Sequence, residues 1–136
     1  MSSFVSHTSI DCTDAYALSR WWQAVLDYVE DPDDPNEPGH EECGIRSLDG
    51  HHHLLFLEVP DAKRGKNRVH LDLRPREGSR DDELARLLAL GATALDDRRN
   101  ADGTGWVVLA DPEGNEFCIL RSASQVAATR GSSDGD

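Results

Sequence analysis

Arg68-Val69-His70-Leu71-Asp72-Leu73-Arg74 alternates in hydropathy at every step. A period of two is the mark of a half-buried strand. Val69, Leu71 and Leu73 should therefore face a core, and Arg68, His70, Asp72 and Arg74 the opposite side. Working outward, Ser79 is placed to cap a helix, and Asp81, Asp82 and Glu83 lie where a helix dipole favours anions. Leu84, Leu87 and Leu88 form the apolar stripe of that helix, and Gly91 is a natural stop. Strands are expected at 93–97, 106–110 and 116–120. Asp111-Pro112-Glu113-Gly114 reads as the turn joining the last two.

The first half of the chain repeats this order. Phe4 to Cys12 reads as a strand with Val5, His7, Ser9 and Asp11 on one side. Thr13 or Asp14 can cap the helix that follows. Leu18, Trp21, Trp22, Val25 and Leu26 recur at the spacing of one buried helical stripe, which makes the two tryptophans core residues. Residues 30–42 then hold seven carboxylates, Pro32, Pro35 and Pro38 and no Lys or Arg, so a solvated loop is expected. Strands at 43–48 and 54–59 flank the turn Asp49-Gly50. Leu26-Asp27-Tyr28 closes the first helix as Leu90-Gly91-Ala92 closes the second, and His7 corresponds to His70 at a similar offset. Glu58 and Cys118 are matched at nearly the same spacing. A repeat of this length predicts a duplicated βαβββ unit. The modules are read at about 4–60 and 66–121 of one domain, 1–121, and the small polar residues 122–136 as a disordered tail.

Composition narrows the function. A net charge of −12 disfavours nucleic acid and anionic membrane, which call for basic surface. No apolar run approaches the ~20 residues of a membrane span, and the start shows no basic-then-apolar leader. Cys12, Cys43 and Cys118 form no Cys-x-x-Cys pair, which points to reduced thiols in a cytoplasm. No Gly-x-Ser-x-Gly or Gly-rich phosphate loop occurs. His51-His52-His53 cannot converge on one ion as strand residues, because neighbours point to opposite faces, and is read as an exposed turn.

Three segments carry a family resemblance: His7-Thr8-Ser9-Ile10-Asp11-Cys12-Thr13-Asp14, Arg68-Val69-His70-Leu71-Asp72-Leu73, and the hairpin Asp111-Pro112-Glu113-Gly114-Asn115-Glu116-Phe117. Together they resemble the vicinal-oxygen-chelate superfamily, which includes glyoxalase I and the bleomycin-resistance proteins, over about Phe4 to Arg121. The resemblance implies an α+β fold in which two βαβββ modules form a curved mixed sheet around a cavity. It implies metal ligands at His7, Glu58, His70 and Cys118, the last being a thiol where metal-dependent relatives are expected to carry glutamate. Zn, Ni, Mn or Fe would be the divalent metal, and Glu116 or Asp72 the catalytic base. Two activities follow: a metal-dependent lyase, isomerase or dioxygenase acting on a small oxygen-bearing metabolite, or a metal-free protein that sequesters a small molecule. The acidic balance would suit a cationic ligand in the second case. A homodimer is also implied.

Overall fold

The structure is a computed structural model and describes residues 1–129. Two compact units divide the chain at Lys63/Arg64. Each is a small mixed sheet with a helix, an α+β arrangement.

In the first unit, β1 (Thr8–Cys12) leads into α1 (Ala15–Leu26), then β2 (Glu42–Arg46) and β3 (His53–Glu58). The strand order is β1-β3-β2, with β1 parallel and β2 antiparallel to β3. Asp14 is the helix cap, its side chain accepting from Ala17 N–H at 3.0 Å. Leu18, Trp22 and Val25 are buried and pack with Ile45, Leu54 and Phe56 in the core, while Trp21 is half-buried and meets Trp22 edge-on. Phe4 and Val5 lie outside the strand and are 89% and 82% exposed. The reason is register: Thr8 pairs with Leu54, β3 begins at His53, and no partner strand remains beyond it. Directly after α1 the backbone makes one isolated bridge, Val29 to Arg46. Three prolines in the acidic run forbid a longer ladder. That run is nonetheless tethered. Asn36 Nδ2 donates to Gly44 O at 2.8 Å, and Gly44 N–H donates back to Asn36 Oδ1 at 3.3 Å.

In the second unit, β4 (Leu71–Leu73) is followed by α2 (Arg80–Ala89), β5 (Thr93–Arg99), β6 (Gly105–Ala110) and β7 (Glu116–Ile119). The order is β4-β7-β6-β5, parallel at β4/β7 and antiparallel elsewhere. Val107, Leu109, Phe117, Ile119, Leu84 and Leu87 are its buried residues. Ser79 and Asp82 form a capping box. Leu88, placed on the apolar stripe by spacing, is 42% exposed, and Val69, expected in the core, is 79% exposed. β4 is shorter than its alternating sequence because Leu71 pairs with Phe117 and β7 begins at Glu116, so Arg68 and Val69 lie beyond its start; Asn67 N–H donates to the Glu116 side chain. Arg80 is buried and its Nη1 donates to the carbonyls of Gly103, Thr104 and Gly105, which fixes the β5–β6 turn. The hairpin 111–115 is turn chemistry: buried Asp111 accepts through Oδ1 from Glu113 N–H and Asn115 N–H, both at 2.9 Å.

The helix ends matched by sequence are matched in backbone. Asp27 is the one non-glycine residue with positive φ among the described residues, at 58°, and Gly91 has φ 109°. Residues 123–128, placed in a disordered tail by composition, form α3 (Ala123–Ala128), with Ser122 and Gln125 as its capping box. Gln125 Oε1 also accepts from Arg80 N–H at 2.8 Å, which ties α3 to the start of α2. The tail beyond 129 lies outside the described residues.

Candidate metal centre and ligand cavity

The parallel pairings fix which residues of the two modules correspond. Thr8 faces Leu54 and Leu71 faces Phe117, a separation of 46 residues in both. His7 and His70 therefore hold equivalent positions, one residue ahead of each register start. The residue equivalent to Cys118 is Leu55, and Asp72 corresponds to Ser9. The match of Glu58 to Cys118 suggested by spacing is three residues out of register.

Glu58 lies on the helix side of β3. It shares its face with Leu54 and Phe56, which are 1% and 0% exposed, and its Oε2 accepts from Ala15 N–H at 3.2 Å. That contact satisfies one orphan donor at the start of α1, where a carboxylate also suits the helix dipole. His7 is exposed, within hydrogen-bond reach of Ser6 Oγ at 3.0 Å, and lines a cavity of about 510 Å³ on the first sheet together with Leu55 and Arg46. Asp31, Asp34 and Glu42 rim the same cavity.

In the second module, His70, Asp72 and Cys118 come together. Each offers one ligand atom, and the three atoms lie within 4.8 Å of one another. The sheet explains the meeting. Asp72 and Cys118 are direct partners across β4 and β7, and His70 stands two residues before Asp72 on the same face. His70 Nδ1 lies 3.1 Å from Asp72 Oδ1 and 3.9 Å from Cys118 Sγ. Both contacts fall on one ring nitrogen. A thiol–imidazole–carboxylate relay needs the two different nitrogens, so this cluster is not arranged to activate a nucleophilic cysteine. Burial, reinforced by the Asp72 charge, pushes the Cys118 thiol up to about 11, which agrees. An imidazole, a carboxylate and a thiol at this separation do fit a divalent cation, best one of borderline softness such as Zn²⁺. Binding would have to displace the thiol proton. Among the described residues this is the group of three ligating side chains that comes together.

The cluster lies in a cavity of about 520 Å³ on the open face of the second sheet. Glu116 lines it, with Oε2 accepting from Asn67 N–H. Lys66, Asp96, Arg98, Trp106, Val108 and Leu120 complete the lining. Sequence reasoning did not single out these last six. The phase of Trp106 and Val108 is illegible because the alternating neighbours Val107 and Leu109 are equally apolar.

The chain belongs to the family of glyoxalase-like domains, whose family model matches residues 7–120. Solved structures of the glyoxalase/bleomycin resistance/dioxygenase fold resemble it. One is a fosfomycin resistance protein, FosX, from Listeria monocytogenes, a mutant complexed with Mn(II) and dihydroxypropylphosphonic acid. It is 17% identical with TM-score 0.67, covering 96% of this chain and 98% of that one. A glyoxalase/bleomycin resistance protein/dioxygenase family enzyme from Burkholderia phytofirmans is 20% identical with TM-score 0.65, covering 84% of this chain and 94% of that one. A possible glyoxalase from Bacillus cereus is 12% identical with TM-score 0.62, covering 88% of this chain and 99% of that one. No curated protein matches the chain. Among the described residues no helix is long and apolar enough to cross a membrane.

Proposed function

We propose that this chain takes a small oxygen-bearing metabolite into the second-module cavity and acts on it at a divalent metal held by His70, Asp72 and Cys118, as a lyase, isomerase or dioxygenase. The observation that carries the reading is the convergence of three ligand atoms within 4.8 Å. The Mn(II) complex of the Listeria relative supports it. A divalent cation bound there would supply Lewis acidity toward substrate oxygens. Glu116 then serves as the base: its carboxylate is anchored by Asn67 N–H and lines the same cavity. Glu58 drops from the ligand set because it caps α1, and Leu55 at the matching position has no donor. Metal-free sequestration in the same cavity is the second reading, favoured by a thiol that stays protonated at neutral pH. A homodimer fits the exposed Phe4 and Val5 beside the free edge of β1.

The test is elemental analysis of untagged protein never exposed to nickel resin, followed by calorimetric Zn²⁺ titration with His51, His52 and His53 replaced by alanine. One metal per chain is expected, lost in His70→Ala and in Cys118→Ser. Undiminished binding in both variants excludes this centre, and no binding at all leaves sequestration as the function.

A further inference from the structure

Charge is divided unevenly between the modules. Residues 1–63 hold three Lys and Arg against thirteen Asp and Glu, whereas residues 64–129 hold ten against eleven. Most of the chain's acidic excess therefore belongs to the first module, while the second-module cavity is lined by three carboxylates, Asp72, Asp96 and Glu116, and two cations, Lys66 and Arg98. Of the three carboxylates in that cavity, one is ion-paired with a lining cation and two are hydrogen-bonded. Asp96 pairs with Arg98 at 2.7 Å, Asp72 lies against His70, and Glu116 accepts from Asn67 N–H. Lys66 has no ion-pair partner among the described residues.

The strand register arranges the lining as a gradient. Along β7 and one residue past its end the cavity residues run Glu116, Cys118, Leu120, each step roughly 7 Å, the strand repeat. Lys66 adjoins Asn67, which Glu116 holds, so its backbone lies at the Glu116 end, and its exposed ammonium also acts on Cys118. Val108 is the partner of Cys118 on one side and of Asp96 on the other. Trp106, the partner of Arg98, is 37% exposed, and with half-buried Leu120 it forms an apolar far end. A large aromatic surface left open inside a cavity costs hydration that a flat ligand would recover.

We propose that the ligand of this cavity is a small organic acid with a flat apolar body, its carboxylate at Lys66 and its body against Trp106 and Leu120. The proposal rests on the cavity reading above and names its ligand class. It does not require the metal. It also reverses the expectation, drawn from overall acidity, that the ligand is a cation.

The experiment uses the full chain, once stripped with EDTA and once with Zn²⁺. The probes share a benzyl group: phenylacetate, its isosteric amide phenylacetamide, and the cationic 2-phenylethylamine. Binding is read by quenching of tryptophan fluorescence, with Trp106→Phe identifying the signal of that residue against Trp21 and Trp22. Phenylacetate should bind about tenfold more tightly than the amide, one charge-assisted contact's worth, and the amine more weakly still. Lys66→Gln should abolish the preference for acid over amide while leaving the amide unchanged, and Lys66→Arg should retain it. The amine binding as well as the acid, a preference untouched by Lys66→Gln, or quenching that persists in Trp106→Phe overturns the proposal. Acid preference in EDTA-treated protein that takes up no Zn²⁺ upholds the ligand class and removes only the metal centre. Zn²⁺ uptake at His70 and Cys118 with no acid preference does the reverse.

Discussion

Cys118 should keep its proton far into the alkaline range. Its side chain is buried, 5% exposed, beside the Asp72 carboxylate, and both effects disfavour a thiolate, holding the group at about 11. At pH 8 about one molecule in a thousand then carries the thiolate, against roughly a quarter for an ordinary thiol near 8.5. Alkylation of Cys118 by iodoacetamide at pH 8 should run about two hundredfold slower than for a free thiol, measured by peptide mapping so that Cys12 and Cys43 are scored separately. The same shift is linked to stability. The folded state favours the protonated form, so this stabilisation is fully present below pH 8.5 and is lost as pH rises through about 11. It amounts to about 3 kcal/mol, at 1.36 kcal/mol per tenfold change in the ionisation constant. Urea unfolding of wild type and Cys118→Ala between pH 8 and 11 isolates it, because the Cys43 thiol, also raised by burial, is common to both. Asp72→Asn should bring the thiol down. Because a metal must expel this proton, Zn²⁺ affinity should climb with pH, about tenfold per unit. A Cys118 alkylation midpoint near 8.5, or equal pH slopes in wild type and variant, would refute the argument.

Gly105→Ala should destabilise the chain by more than about 3 kcal/mol, because φ is +94° and an added Cβ would meet Arg98 O at 2.1 Å. An unchanged melting temperature would contradict the β5–β6 register. Glu58→Ala should cost about 1 kcal/mol in thermal unfolding through loss of the Ala15 contact, with Zn²⁺ affinity unaltered. A tenfold loss of affinity would return Glu58 to the ligand set. Asp97, held down to about 2 chiefly by hydrogen bonds from Arg99, should remain ionised to that pH, and its stabilising contact should be lost as pH falls through it. Carboxyl NMR shifts should show Asp97 back near the ordinary carboxylate range in Arg99→Gln.

Much of the local chemistry, in which a residue acts on its neighbours, was legible in the sequence. Asp14 and Ser79 cap their helices, Asp27 and Gly91 end them, and Asp111 folds the hairpin around itself. These contacts span a few residues, so spacing determines them. Strand alternation likewise placed His70 and Asp72 on one side and Phe117 and Ile119 on the other.

What spacing could not give was register, because a parallel pairing depends on how a strand docks beside another 46 residues away. Only the tertiary structure made Leu55 the first-module equivalent of Cys118 and turned Glu58 toward α1. It also ended β1 and β4 early, where partner strands stop. The tail helix escaped notice because its capping box, Ser122 with Gln125, is a weak signal amid small residues. The sequence by itself determined a duplicated α+β chain with a histidine opening each module, since periodicity and turn chemistry are local. The tertiary structure decided which side chains join His70, because convergence on a sheet face is set by the ladder between strands.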